Sequence, residues 1–304
     1  MFIEKNTTTE KNFWEYLLGS FIIILSSFIG QLPLLGAILY HVFFNGEKYP
    51  AGDQALMTFF DSNSMLVLIL IPSIFSLIAL YYVIKYRHHQ SFLFIVTKRK
   101  SIDYKRILFS FSLWASFIIV STVADYYVNP THFEFNFKVV PFLILVIVGT
   151  LLIPIQTSVE ELVFRGYLMQ GFGKLTNNKW FPLLMTSLIF GLMHLFNPEV
   201  TKMGTIIMIY YIGTGLFLGI ITLMDGGLEL ALGFHAANNL LGALLVTSSW
   251  TAFQTHSVLI DISEPNVIFD IIMPVLVVYP ILLFIFNHKY QWADWRKKLI
   301  AENN

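Results

Sequence analysis

The sequence predicts an all-α fold, a polytopic transmembrane helix bundle of about eight spans, on three observations. The chain of 304 residues is 56% hydrophobic and only 12% charged, with a mean hydropathy of +0.68, more apolar surface than a soluble core can bury. Apolar stretches long enough to cross about 30 Å of hydrocarbon recur along its whole length. Basic residues crowd alternate connections between them, the bias that orients membrane proteins.

The stretches fall at 16–44, 64–84, 107–127, 139–171, 181–196, 204–224, 229–248 and 267–287. The first follows a polar segment, Met1 to Glu15, and at about 28 residues it exceeds a signal-peptide core, so it reads as a retained span. The fourth is too long to lie wholly in lipid, and its inner end should project as a polar helix. The fifth is short and has to tilt or borrow neighbouring residues. Gly215 and Gly219 in the sixth, with Gly233 and Ala237 in the seventh, are small residues suited to close helix packing. Pro72, Pro154, Pro274 and Pro280 bend their helices and free carbonyls for neighbours to satisfy.

Lys85, Arg87, Lys98, Arg99, Lys100, Lys105 and Arg106 follow the second span, and Arg296, Lys297 and Lys298 follow the eighth. Both segments are expected in the cytoplasm. An even number of spans puts the N-terminus there too, and leaves 45–63, 128–138 and 249–266, poor in basic residues, outside. The organisation is then helices one to three with a basic loop (1–138), a bundle of helices four to seven (139–250), and a last helix with a basic tail (251–304). Lys and Arg total 19 against 19 Asp and Glu, a balance that argues for no nucleic-acid partner. The absence of cysteine excludes disulfides, a thiolate nucleophile and Cys-ligated metal.

Three polar groups interrupt the apolar background. Glu160, Glu161 and Arg165 lie in S-V-E-E-L-V-F-R-G at the inner end of the fourth span. A charged side chain at a helix centre costs roughly 2.5–3.5 kcal/mol on insertion scales, so such a cluster needs partners and a purpose. At 3.6 residues per turn Glu161 and Arg165 share a face and can pair, while Glu160 points about 100° away and stays freer for general-base work. The plain alternative is a structural ion pair near the cytoplasmic end. The fifth span contributes Phe190-Gly-Leu-Met-His194, with Phe190 read as a packing wall, and the seventh contributes His235 and Asn239 one turn apart. Two donors on one face suit an oxyanion site; the plain alternative is an interhelical polar clasp.

The ordered set Glu160-Glu161-x-x-x-Arg165, Phe190-x-x-x-His194 and His235-x-x-x-Asn239 resembles the CAAX protease and bacteriocin-processing family, also called Abi, over roughly residues 150–245. That resemblance implies an intramembrane endopeptidase acting on a membrane-associated peptide or protein from a chamber open to the cytoplasm. Glu160 would activate water, Glu161 and Arg165 would hold and tune it, and His194 would position the water or a metal. His235 and Asn239 would stabilise the oxyanion. Glu161, His194 and His235 are also the residues that would make an open zinc site with water as fourth ligand, although H-E-x-x-H on one helix is absent. Zinc is therefore an open expectation. No oligomeric state is implied.

Two other classes compete. A proton-coupled transporter would use the same acids and histidines as a relay, but predicts repeated halves that the chain lacks. A non-catalytic scaffold or bacteriocin immunity protein would retain the fold without turnover. The Ile, Phe, Asn and Lys usage points to an AT-rich bacterial genome, and so to a bacterial cell membrane.

Overall fold

The computed structural model describes residues 12–176 and 178–300; most of the polar N-terminal segment and the last four residues of the basic tail lie outside them. Helices dominate. In chain order they are α1 (Phe13–Gly30), α2 (Leu32–Phe44), α3 (Asp53–Met57), α4 (Ser62–Tyr82), α5 (Leu93–Val96), α6 (Tyr104–Val128), α7 (Val139–Glu161), α8 (Met169–Leu175), α9 (Trp180–Leu192), α10 (Pro198–Met203), α11 (Met208–Asp225), α12 (Glu229–Leu245), α13 (Tyr279–Tyr290) and α14 (Trp295–Leu299). Local chemistry sets several starts. Asn12, Asp61 and Asp103 turn side-chain oxygens onto the first free N–H groups of α1, α4 and α6, the donors a helix cannot satisfy internally.

Among the described residues, six helical stretches are long and apolar enough to cross a membrane: Phe13–Phe44, Ser62–Arg87, Tyr104–Val128, Val139–Leu175, Pro198–Asp225 and Ile268–Tyr290. The expected fifth and seventh spans are shorter. The fifth is α9, of 13 residues, and the seventh is α12, of 17, which carries Glu229, His235, Asn238 and Asn239. Both pack on longer helices, α9 against α11, and α12 against α6 and α7. Glycines allow the approach: a Cβ on Gly233 would sit 2.2 Å from the Ile107 carbonyl of α6, and one on Gly215 would sit 3.0 Å from Ser187 of α9.

A small sheet departs from the all-α expectation. Strands β1 (Phe133–Phe135), β2 (Val246–Thr247) and β3 (Leu259–Asp261) form it in the order β1-β3-β2, with β1 antiparallel and β2 parallel to β3. These short runs pair because the connections after α6 and α12 meet at the same end of the bundle, where their backbone groups need partners. Also at this end, His256 Nε2 lies 3.0 Å from Asp61 Oδ1, and the Ala252 N–H donates to Glu199 Oε1 at 2.9 Å.

The opposite end is basic. Gly226, left-handed at φ 72°, turns α11 into α12 so that Asp225 and Glu229 share Arg99, at 2.9 and 3.0 Å. Arg106 also pairs with Asp225. Arg87 meets Glu15 at 2.7 Å, and Lys179 Nζ donates to the Lys297 carbonyl at 2.9 Å. The start of α1, the basic loop and the C-terminal tail therefore belong to one end.

Candidate active site

Helix α7 ends at Glu161, and the chain continues through wider π-helical turns over Leu162–Leu168 before α8 resumes. The Met169 N–H donates to Phe164 O, five residues back, a geometry that gathers at functional sites. Glu161 and Arg165 remain together across this change. Both are fully buried, and Arg165 Nη1 donates to Glu161 Oε1 at 2.8 Å. Its Nη2 donates to Gly215 O at 3.2 Å, and the guanidinium lies 4.3 Å over the Phe190 ring. A buried charge pair persists when such secondary contacts offset desolvation.

His235 joins the pair from α12, donating from Nδ1 to the same Glu161 Oε1 at 2.8 Å. A carboxylate accepts only, so this bond fixes the proton on Nδ1 and leaves Nε2 as the free ring nitrogen. Nε2 lies 3.7 Å from Glu160 Oε2. That gap is too long for a direct hydrogen bond and suits two groups sharing a water. Glu160 Oε2 is buried and has no hydrogen-bond partner among the described residues.

The other oxygen of Glu160 is held by Gln156, whose Nε2 donates to Oε1. Gln156 in turn accepts from Asn239 Nδ2 at 3.3 Å, Asn239 accepts from Asn238 Nδ2 at 3.1 Å, and Asn238 accepts from Trp114 Nε1 at 3.1 Å. An amide chain thus runs from α6 through α12 to the free acid on α7. His235 and Asn239 share a face, as their spacing required, but they are not two uncommitted donors. The His235 Nδ1–H goes to Glu161, and the Asn239 amide goes to Gln156.

His194 is not inside a helix. It lies in the turn after α9, its N–H donating to Gly191 O at 2.9 Å. Helix α9 ends at Leu192, and further on Pro198 holds Asn197 in extended backbone at ψ 148°, so no helix runs on through it. The His194 Nδ1–H donates to Phe190 O at 2.8 Å, leaving Nε2 free, and the ring stacks on Tyr211 at 4.4 Å. Phe190 is the wall between the histidines, its ring 4.8 Å from His194 and 6.1 Å from His235.

Glu160, His194 and Asn239 line a cavity of about 760 Å³. The paired Glu161, Arg165 and His235 lie behind its wall. The sequence places the chamber mouth at the basic, cytoplasmic end; the described wall of the cavity reaches toward the other end. Met57, Trp250 and Phe253 of the opposite end form part of the wall, and no residue of the basic loop or tail does. Beneath the site, Leu162, Tyr167 and Leu168 pack with Ile95, Val96 and Leu228 in one core cluster, and the Ile95 carbonyl comes so close to Gly166 that a Cβ there would sit 2.7 Å away. Helix α5 therefore packs beneath the site on the basic side.

The zinc expectation fits poorly. Among the described residues no three His, Asp or Glu side chains gather as a metal-ligand set. Glu161 Oε1 already serves Arg165 and His235, and His194 lies across Phe190 from them. Sequence reasoning missed Gln156, although its position four residues before Glu160 places it on the same face. It also missed Glu199, which lines the cavity beside Tyr211 and which no motif marks.

Residues 138–241 match the family described as type II CAAX prenyl endopeptidase Rce1-like, in agreement with the resemblance carried by the three motifs. An uncharacterized protein of Bacillus subtilis (strain 168), YyaK, is 28% identical over 265 residues, covering 87% of either chain. No solved structure matches. Six membrane-length apolar helices together with this likeness make the chain an integral membrane protein.

Proposed function

We propose that this protein is an intramembrane endopeptidase, hydrolysing a peptide bond of a membrane-associated peptide or protein with water activated by Glu160. One observation carries the reading: a buried, partnerless Glu160 Oε2 stands 3.7 Å from the free Nε2 of His235 and lines a cavity able to admit a peptide. Water held between these atoms loses a proton to Glu160 as its oxygen bonds the scissile carbonyl carbon. Glu160 then passes that proton to the leaving nitrogen as the C–N bond breaks.

The remaining residues act in support. Glu161, neutralised by Arg165, orients His235 and balances charge that develops on its ring, as a buried carboxylate does for a catalytic histidine. Asn239 Nδ2, on a long bond to Gln156, is the donor available to the carbonyl oxygen as it becomes an oxyanion. His194 offers Nε2 as an acceptor from the opposite wall. No step is routed through a metal. We read α9 and α12 as the fifth and seventh of eight crossings, both shorter than the rest, with both termini in the cytoplasm of a bacterial cell.

Replacement of Glu160 tests the assignment. Glu160→Gln should insert and melt as the wild type does, while cleavage falls by about 10²–10⁴-fold, the usual worth of a positioned base. Peptides compared between a deletion strain complemented with the wild type and one complemented with Glu160→Gln supply the readout. Unchanged processing would remove Glu160 from its role.

A further inference from the structure

We propose that the cavity is served from the extracytoplasmic side, so that its substrate is an exported peptide, or the outer juxtamembrane segment of a membrane protein, arriving after translocation. The inference rests on the endopeptidase reading for what happens to the substrate, and on independent geometry for where the substrate comes from.

Charge separates the two ends of the bundle. Lys48, Lys138 and Lys202 are the described lysines at the end that carries the sheet; apart from the buried Arg165, every other described Lys and Arg belongs to the end holding Arg99, Lys179 and Arg296. Short connections rich in Lys and Arg stay in the cytoplasm. The tail and the start of α1 reinforce this, since Lys179 meets Lys297 and Glu15 meets Arg87 at the same end.

The cavity runs the other way. From Glu160 its wall passes Ile69 and Gly242 to Met57 and Trp250, all toward the sheet end. Along α12 the direction is plain: Glu229 is in the basic cluster, His235 lies about 9 Å further at 1.5 Å per residue, and Gly242 about 10 Å beyond that. Toward the cytoplasm, Ile95 of α5 packs closely against Gly166. The wall also mixes apolar side chains with polar ones, half-buried Leu34 and exposed Met193 with Gln31 and Asn197, a surface suited to a segment still attached to the outer leaflet.

The natural sequence contains no cysteine, so single cysteines report without background. Ser249→Cys and Ala252→Cys at the cavity end, and Lys100→Cys in the basic loop, are expressed in the full chain and treated with a membrane-impermeant maleimide. Ser249→Cys and Ala252→Cys should label in intact spheroplasts, and Lys100→Cys only in inside-out vesicles. Ser249 is exposed and bears no packing role, so its variant reports even where Ala252→Cys folds poorly. In parallel, uncleaved species that accumulate with Glu160→Gln should be exported or surface-exposed. The reverse labelling pattern overturns the proposal even where Glu160→Gln abolishes cleavage. Correct labelling with accumulation confined to cytoplasmic peptides also overturns it. Correct labelling with no peptide changed by Glu160→Gln upholds the orientation and removes the endopeptidase reading together with its substrate.

Discussion

Arg165 and His235 converge on one atom, each 2.8 Å from Glu161 Oε1, the arginine through Nη1 and the histidine through Nδ1. The shared oxygen joins the burial of a charge to the orientation of an imidazole, so neither contact can be lost without disturbing the other.

Arg165→Met should cost about 3–5 kcal/mol of stability, because it strands a fully buried carboxylate. Arg165→Lys should recover little of this, since one ammonium cannot reach Glu161 and Gly215 with the same planar fork. Combining Arg165→Met with Glu161→Gln should regain most of the melting temperature but not the activity. Thermal unfolding in detergent, with cleavage measured on the same samples, checks both.

Gln156→Ala and Asn239→Ala should each slow turnover without changing the melting temperature much, because Gln156 steers Glu160 and Asn239 steers Gln156. Their effects should be non-additive, with a coupling of about 0.5–3 kcal/mol in a double-mutant cycle on kcat. Strict additivity would break the amide chain as a unit.

Gly233→Ala should destabilise the protein by about 1–3 kcal/mol, the usual cost of overpacking. The added methyl meets a backbone carbonyl of α6, which cannot rotate aside as a side chain would. Gly242→Ala, on the same helix with open space around its Cα, is the control and should melt as the wild type does.

Strong chelators should leave cleavage unchanged, because the acid that would ligate zinc is already bound to Arg165 and His235. Loss of activity under chelation, restored by added zinc, would require the two histidines to leave their present places around Phe190.

Much of the site is legible in spacing alone. The four-residue interval from Glu161 to Arg165 predicts their pairing, and the one from His235 to Asn239 predicts their common face. The interval from Phe190 to His194 suggests a helix turn, but α9 ends at Leu192, and periodicity alone does not show where an apolar helix stops. Which donor meets which acceptor was not legible, because Gln156 and Asn238 are neutral side chains whose roles arise only when three helices meet. The extent of the cavity wall was not legible for a similar reason. Distance from a helix end locates the acids in depth, but only packing reveals that Met57, Trp250 and Phe253 share a cavity with Glu160.

The widened turns after Glu161 have a mechanical consequence. They absorb a surplus residue that an ordinary helix has no place for, and so set the rotational phase between the acids above and the α5 contact below. Shortening the chain by one codon between Leu162 and Leu168 would tighten the coil and swing everything beyond it by about 100°. Gly166 would turn from the Ile95 carbonyl, and that contact and the reactive centre would fail together.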